Sequence, residues 1–224
     1  MLLAIDTSTD NASLALIKGD RVLAEANWLC EQNHTTELLP QLVRLLGEAK
    51  VGIGSVSGVI VARGPGSFNG LRVGISTAKG LAFSLGIPII GISSLEVVAY
   101  GHAESGLPIC PILNAGRGEI ATAVYQKKDN RWQQLVVEQI ATVDALCSGI
   151  TTKTIFCGEF ANQLASELKK RLGERAIVAT TASPRARLLA ELGRQRFEAG
   201  DYDSPATLQP LYLRRPAITQ AKHR

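Results

Sequence analysis

Residues 2–18 read LLAIDTSTDNASLALIK, and residues 110–126 read CPILNAGRGEIATAVYQ. Each is an apolar run, a short polar turn and an alternating segment, the pattern of two tightly joined strands. Asp6 of the first aligns with Asn114 of the second, an offset of 108 residues (114 − 6). A unit recurring at that interval implies two similar α/β lobes, each a meander followed by helices and further strands. The division falls near Tyr100–Pro108, YGHAESGLP, giving lobes of residues 1–102 and 103–224, with the last segment a candidate to pack back on the first lobe.

RVLAEANWL (21–29) continues the first meander as a third strand. In TTELLPQLVRLLGEAK (35–50), Leu38, Leu42 and Leu45 share one helical face with Leu39, Val43 and Leu46 beside them. That helix is expected to start near Thr36, with Pro40 in its first turn or at a kink. VSGVIVAR (56–63) reads as a strand covered on both faces. GPGSFNGLRVG (64–74) follows, and a second helix is expected from Gly70 to Leu85. Leu71, Ile75, Ala78, Ala82 and Leu85 repeat at helical spacing, while Gly70, Gly74 and Thr77 make a small-residue face. Farther on, IPIIGISSLE and TIFCGE contain strands, FANQLASELKKRL is helical, and SPRARLLAELGRQRFEAG is a helix with Ser183 and Pro184 at its start.

With 46% hydrophobic and 20% charged residues, the 224-residue chain can bury a proper core. A formal net charge of +4 is too small to specify a nucleic-acid partner. Cys30, Cys110, Cys147 and Cys157 form no CxxC pair, and none of His34, His102 and His223 has a second histidine at the i+4 spacing, so no metal site is expected. The start of the chain reads as a strand and not as a signal peptide, and no apolar run approaches the ~18 residues of a membrane helix. A cytoplasmic protein without membrane attachment is expected.

The glycine stretch matches no phosphate-binding signature. GxxxxGK[ST] is missing, and Gly64-x-Gly66 meets Asn69 where a dinucleotide loop needs its third glycine. GISTA (74–78) lies in a helix without the partners of a nucleophile elbow. DTST (6–9) is either a turn between strands or half of a magnesium–phosphate site. In the second lobe Asn114, a poor metal ligand, stands at the matching place, so a phosphotransfer site would be incomplete.

A doubled α/β unit opening into DTST resembles the superfamily of actin, sugar kinases and heat-shock ATPases. LLAIDTSTDNASLAL, NHTTELLPQLVRLL, VARGPGSFNGLRVGISTAKGLA and PLYLRR resemble, more narrowly, the TsaB (YeaZ) family, bacterial proteins needed to make threonylcarbamoyladenosine in tRNA. The likeness runs from Met1 to about Arg215. It implies a two-lobed actin-like ATPase fold, each lobe a mixed sheet with flanking helices. It further implies a non-catalytic scaffold or activator of the transferase TsaD, in a complex that the ATPase TsaE joins and that TsaC supplies with threonylcarbamoyl-adenylate, with tRNA contacted through the complex.

On that resemblance, the first two helices dock TsaD through Leu38, Leu42, Leu45, Gly70, Leu71, Gly74, Ile75, Thr77 and Ala78. A homodimer is expected in the isolated chain, because an apolar docking face self-associates. No cofactor is expected, ATP or ADP having a place only at the subunit interface, and Asp6, Thr7 and Ser8 are candidates for weak nucleotide contact. Two departures stand out: Asn69 where the family has Thr, expected to serve as a polar helix cap, and NAGRGE (114–119) where it has D-A-R-x-G-E. Rival readings are a small-molecule kinase of the same superfamily and a metalloprotease, the latter disfavoured because the chain has no HxxxH.

Overall fold

The computed structural model describes residues 1–31, 33–179 and 185–214. Ser183, Pro184 and the basic residues Arg215, Lys222, His223 and Arg224 lie outside them.

The first lobe opens with β1 (Leu2–Asp6), β2 (Asn11–Lys18) and β3 (Arg21–Leu29), followed by α1 (His34–Glu48), β4 (Gly58–Gly64), α2 (Phe68–Leu85), β5 (Ile89–Ser93) and α3 (Ser94–Tyr100). The second has β6 (Ile109–Gly116), β7 (Glu119–Lys128), β8 (Arg131–Ala141), α4 (Val143–Gly149), β9 (Thr154–Cys157), α5 (Ala165–Leu172) and β10 (Ala176–Val178); α6 (Arg185–Glu198) comes last. Strand order is β3-β2-β1-β4-β5 in one sheet and, read the same way, β8-β7-β6-β9-β10 in the other. In both, the meander pairs antiparallel and the remaining strands parallel. The sequence echo is therefore a duplicated sheet, the two-lobed actin-like architecture.

Strand periodicity distributes the core. Leu3, Ile5, Leu14, Leu16, Val59 and Val61 face α1 and α2, meeting Leu38, Leu42, Leu45, Ile75 and Ala82. Their neighbours Leu2, Ala4, Ala15, Ile17, Ile60 and Ile90 face the other way, onto Ala186, Leu189, Ala190 and Leu192 of α6. The last described helix thus covers the first sheet, and Leu211 N–H donates to Arg63 O beyond it (2.6 Å). Between the lobes, α3 gives Val97 to the first sheet and Leu95 and Ala99 to the second, whose far face is closed by Leu146 of α4 and Leu168 of α5.

Some boundaries differ from expectation. The first helix begins at His34, leaving Pro40 in its interior on the exposed side. The second is capped by Ser67, whose Oγ accepts from Gly70 N–H at 3.2 Å; Asn69 lies in the first turn and caps nothing. α5 covers only the second half of FANQLASELKKRL. Strand β8 escapes sequence reading because, as an edge strand with Leu135, Val136 and Val137 exposed, it has no alternation imposed by a buried face.

Candidate functional site: the interlobe cleft and the outer helices

The β1–β2 turn sits where the lobes meet. Asp6 Oδ1 accepts from Ser8 N–H (2.8 Å) and Ser8 Oγ–H (2.6 Å), the self-closing turn that Asp and Ser favour. Its other oxygen, Oδ2, lies 3.3 Å from Arg185 Nε at the start of α6. Neither atom has an aligned hydrogen-bond partner, so the contact is an ion pair between two buried charges. The same guanidinium donates to Ser8 Oγ (3.2 Å) and Thr9 Oγ1 (3.0 Å) and approaches Glu159 Oε1 at 3.4 Å. Glu159, just beyond β9, also accepts from Thr9 Oγ1 (3.1 Å) and Asn11 Nδ2 (3.2 Å). One carboxylate of the second lobe thereby holds the first.

A cleft of about 610 Å³ opens beside this cluster, lined by Ser8, Thr9, His34, Asn69, Asn114 and Glu159 among others. Asn114 is turned to local use, its Oδ1 accepting from Gly116 N–H (2.8 Å). Glu119, the retained acid of NAGRGE, pairs with Arg214. Thr7 Oγ1 donates to Gly70 O (2.8 Å). Asp6, Thr7 and Ser8 are all buried, and of the three only Ser8 lines the cleft.

The glycines serve this turn. A Cβ on Gly66 would come within 2.1 Å of Ser8 O, one on Gly70 within 2.1 Å of Thr7 O, and one on Gly74 within 2.2 Å of Thr7 Oγ1. What approaches the small face of α2 most closely is thus the β1–β2 turn of the same chain, with His34 at the start of α1 beside it at Gly70.

The family model described as "TsaD: tRNA N6-adenosine threonylcarbamoyltransferase" matches residues 28–222. A Bacillus subtilis relative named tRNA threonylcarbamoyladenosine biosynthesis protein TsaB is 36% identical, the match covering 95% of this chain and 93% of its own. This chain belongs to the TsaB family. A Haemophilus influenzae TsaB is 28% identical over 95% of this chain and 93% of its own. Among solved structures, a Pseudomonas aeruginosa protein described as similar to the peptidase YeaZ superposes with a TM-score of 0.81 at 25% identity, over 95% of this chain and 99% of that one.

In this TsaB-family chain, the side chains expected to face a partner point inward. Leu38, Leu42, Leu45, Leu71, Ile75 and Ala78 are buried within the chain, and Gly70 and Gly74 are packed on Thr7; Thr77 is half-buried. The longest apolar stripe of a helix goes to its own sheet, because that is where most area leaves water. The large apolar side chains α1 and α2 leave outside are others: Leu39 at 54% exposure, Val43 at 69% and Phe83 at 86%, with Phe68 at 39% stacked on Tyr212. Sequence reasoning also passed over Arg185 and Glu159, which carry no local signature and gain meaning only where the lobes meet.

No described helix is long and apolar enough to cross a membrane.

Proposed function

We propose that this chain acts in the biosynthesis of tRNA threonylcarbamoyladenosine as a non-catalytic subunit, binding a TsaD-type transferase and sustaining its activity. The pathway follows from membership of the TsaB family. The observation that carries the non-catalytic reading is the Asp6–Arg185 pair. The one carboxylate at the end of β1 that could hold a metal–phosphate group is buried against a guanidinium of the same chain, and its counterpart in the second lobe is Asn114. A fixed internal cation occupies the charge role a magnesium ion would have there.

Docking is assigned to the outer face of α1 and α2, which pack side by side and present Leu39, Val43 and Phe83 to solvent. Exposed apolar side chains of this size supply the anchors that dominate interface energy when a partner covers them. The same face would pair two copies when no transferase is present. TsaE and tRNA join through the complex, in the cytoplasm; this chain carries no cofactor of its own, the subunit junction being the one place where ATP or ADP would have room.

The test is threonylcarbamoylation of tRNA by purified TsaC, TsaD and TsaE with and without this protein. Modification that depends on its addition supports the reading. Equal modification without it overturns the reading.

A further inference from the structure

Beside the cleft, Asp10, Cys30 and His34 each bring one potential ligand atom within 4.8 Å of the other two. They come from three places: the β1–β2 turn, the residue after β3 and the first residue of α1. The backbone fixes their relation, since Cys30 N–H donates to Asp10 O (2.9 Å) and Asn33 N–H to Cys30 O (2.6 Å), turning the chain into α1.

His34 is 2% exposed, and its Nε2 lies 3.0 Å from Thr9 O. A backbone carbonyl can only accept, so Nε2 carries a proton, and in the neutral imidazole Nδ1 then holds the lone pair. That Nδ1 is buried without a hydrogen-bond partner. A buried acceptor of this kind calls for an explanation. An imidazole pinned through one nitrogen to a backbone carbonyl, with the other left bare, is also the usual posture of a metal-ligating histidine.

We propose that Asp10, Cys30 and His34 Nδ1 bind one divalent transition metal ion of the zinc class. A carboxylate, a thiolate and an imidazole together suit a borderline-soft ion, whereas magnesium and calcium select oxygen ligands. Bonds of about 2.0–2.3 Å to one ion draw the three ligand atoms closer than 4.8 Å, a closure to which the exposed Asp10 side chain can contribute. Three protein ligands leave a fourth position. Asp10 and His34 line the cleft and Cys30 does not, so that position opens toward the cleft, to water or to a ligand held there. The three residues stand at positions 10, 30 and 34, a spacing that no linear metal motif records. This site is independent of the docking role proposed above.

The experiment is titration of the metal-stripped full chain with Co²⁺ alone and then Zn²⁺ alone. One Co²⁺ per chain is expected, with a thiolate-to-cobalt charge-transfer band in the near ultraviolet that Zn²⁺ displaces. Cys30→Ser removes the band and Cys147→Ser leaves it. Asp10→Asn, at an exposed position, keeps the fold and weakens binding at least about tenfold, the loss known even for outer-shell partners of a metal ligand. No binding at micromolar metal, or a band that survives Cys30→Ser, overturns the proposal. Should Cys30→Ser fail to fold, unchanged affinity in Asp10→Asn overturns it by itself.

Discussion

Arg185 Nε stands 3.3 Å from Asp6 Oδ2, joining the first turn of α6 to the end of β1 across 179 positions of chain (185 − 6). Asp6 is fully buried and the Arg185 side chain is 11% exposed. Breaking such a pair strands a charge in the interior, so Arg185→Met is expected to cost about 3–5 kcal/mol. Removing both charges, as in Asp6→Asn with Arg185→Met, should cost less than the sum of the single changes, by about 0.5–3 kcal/mol. Urea unfolding of the four proteins measures this; strict additivity would refute the coupling.

Two glycines of one helix should answer oppositely to alanine. Gly74→Ala places a methyl 2.2 Å from Thr7 Oγ1 and should destabilise by about 1–3 kcal/mol. Gly80→Ala meets nothing within 4 Å on the exposed side of α2 and should stabilise by about 0.8–1 kcal/mol through helix propensity. Thermal unfolding of the pair decides whether close approach to the β1–β2 turn, and not helix flexibility, is what Gly74 provides.

Neighbouring residues of α1 should separate folding from docking. Val43→Arg, at 69% exposure, is expected to change stability by no more than about 0.5 kcal/mol. It should weaken binding of the TsaD-type partner by about 2 kcal/mol or more if Val43 is an anchor. Leu42→Arg, at 4% exposure, should unfold the lobe. Titration calorimetry beside circular dichroism reads both. Undiminished binding by Val43→Arg together with Phe83→Glu would remove this face as the docking surface.

Burial pushes the Glu96 carboxyl above its ordinary value of 4.5, the charge of Glu138 adds to this, and Trp132 Nε1–H (3.1 Å from Glu96 Oε1), Arg196 and Arg63 oppose it. The folded state therefore holds the proton more tightly than the unfolded state. Stability falls as pH climbs from that ordinary value through the raised one, and the loss is complete above it. Glu96→Gln keeps an acceptor for Trp132 and has no charge to bury. Its urea midpoint should exceed the parent's at about pH 8, and the gap should narrow toward about pH 4, where the Glu96 carboxyl itself is mostly protonated in the folded and the unfolded state. A gap that ignores pH would assign the effect to packing.

What the sequence by itself determined is the doubled lobe. LLAID and CPILN, each running through a polar turn into an alternating strand, record periodicity that neighbouring residues impose on one another. The helical stripe of Leu38, Leu42 and Leu45 was equally legible. Periodicity shows that a face is apolar, but not whether a sheet or a second protein covers it. Only the tertiary structure turned Leu42 inward and Val43 outward, because the side taken by β1, β2 and β4 is set by packing across the lobe. The cleft was hidden for a related reason. Arg185 finds Asp6, Glu159 finds Thr9, and Asp10, Cys30 and His34 find one another only after separate elements have docked. Charges and ligand atoms act through distance in space, and that distance is the product of the fold.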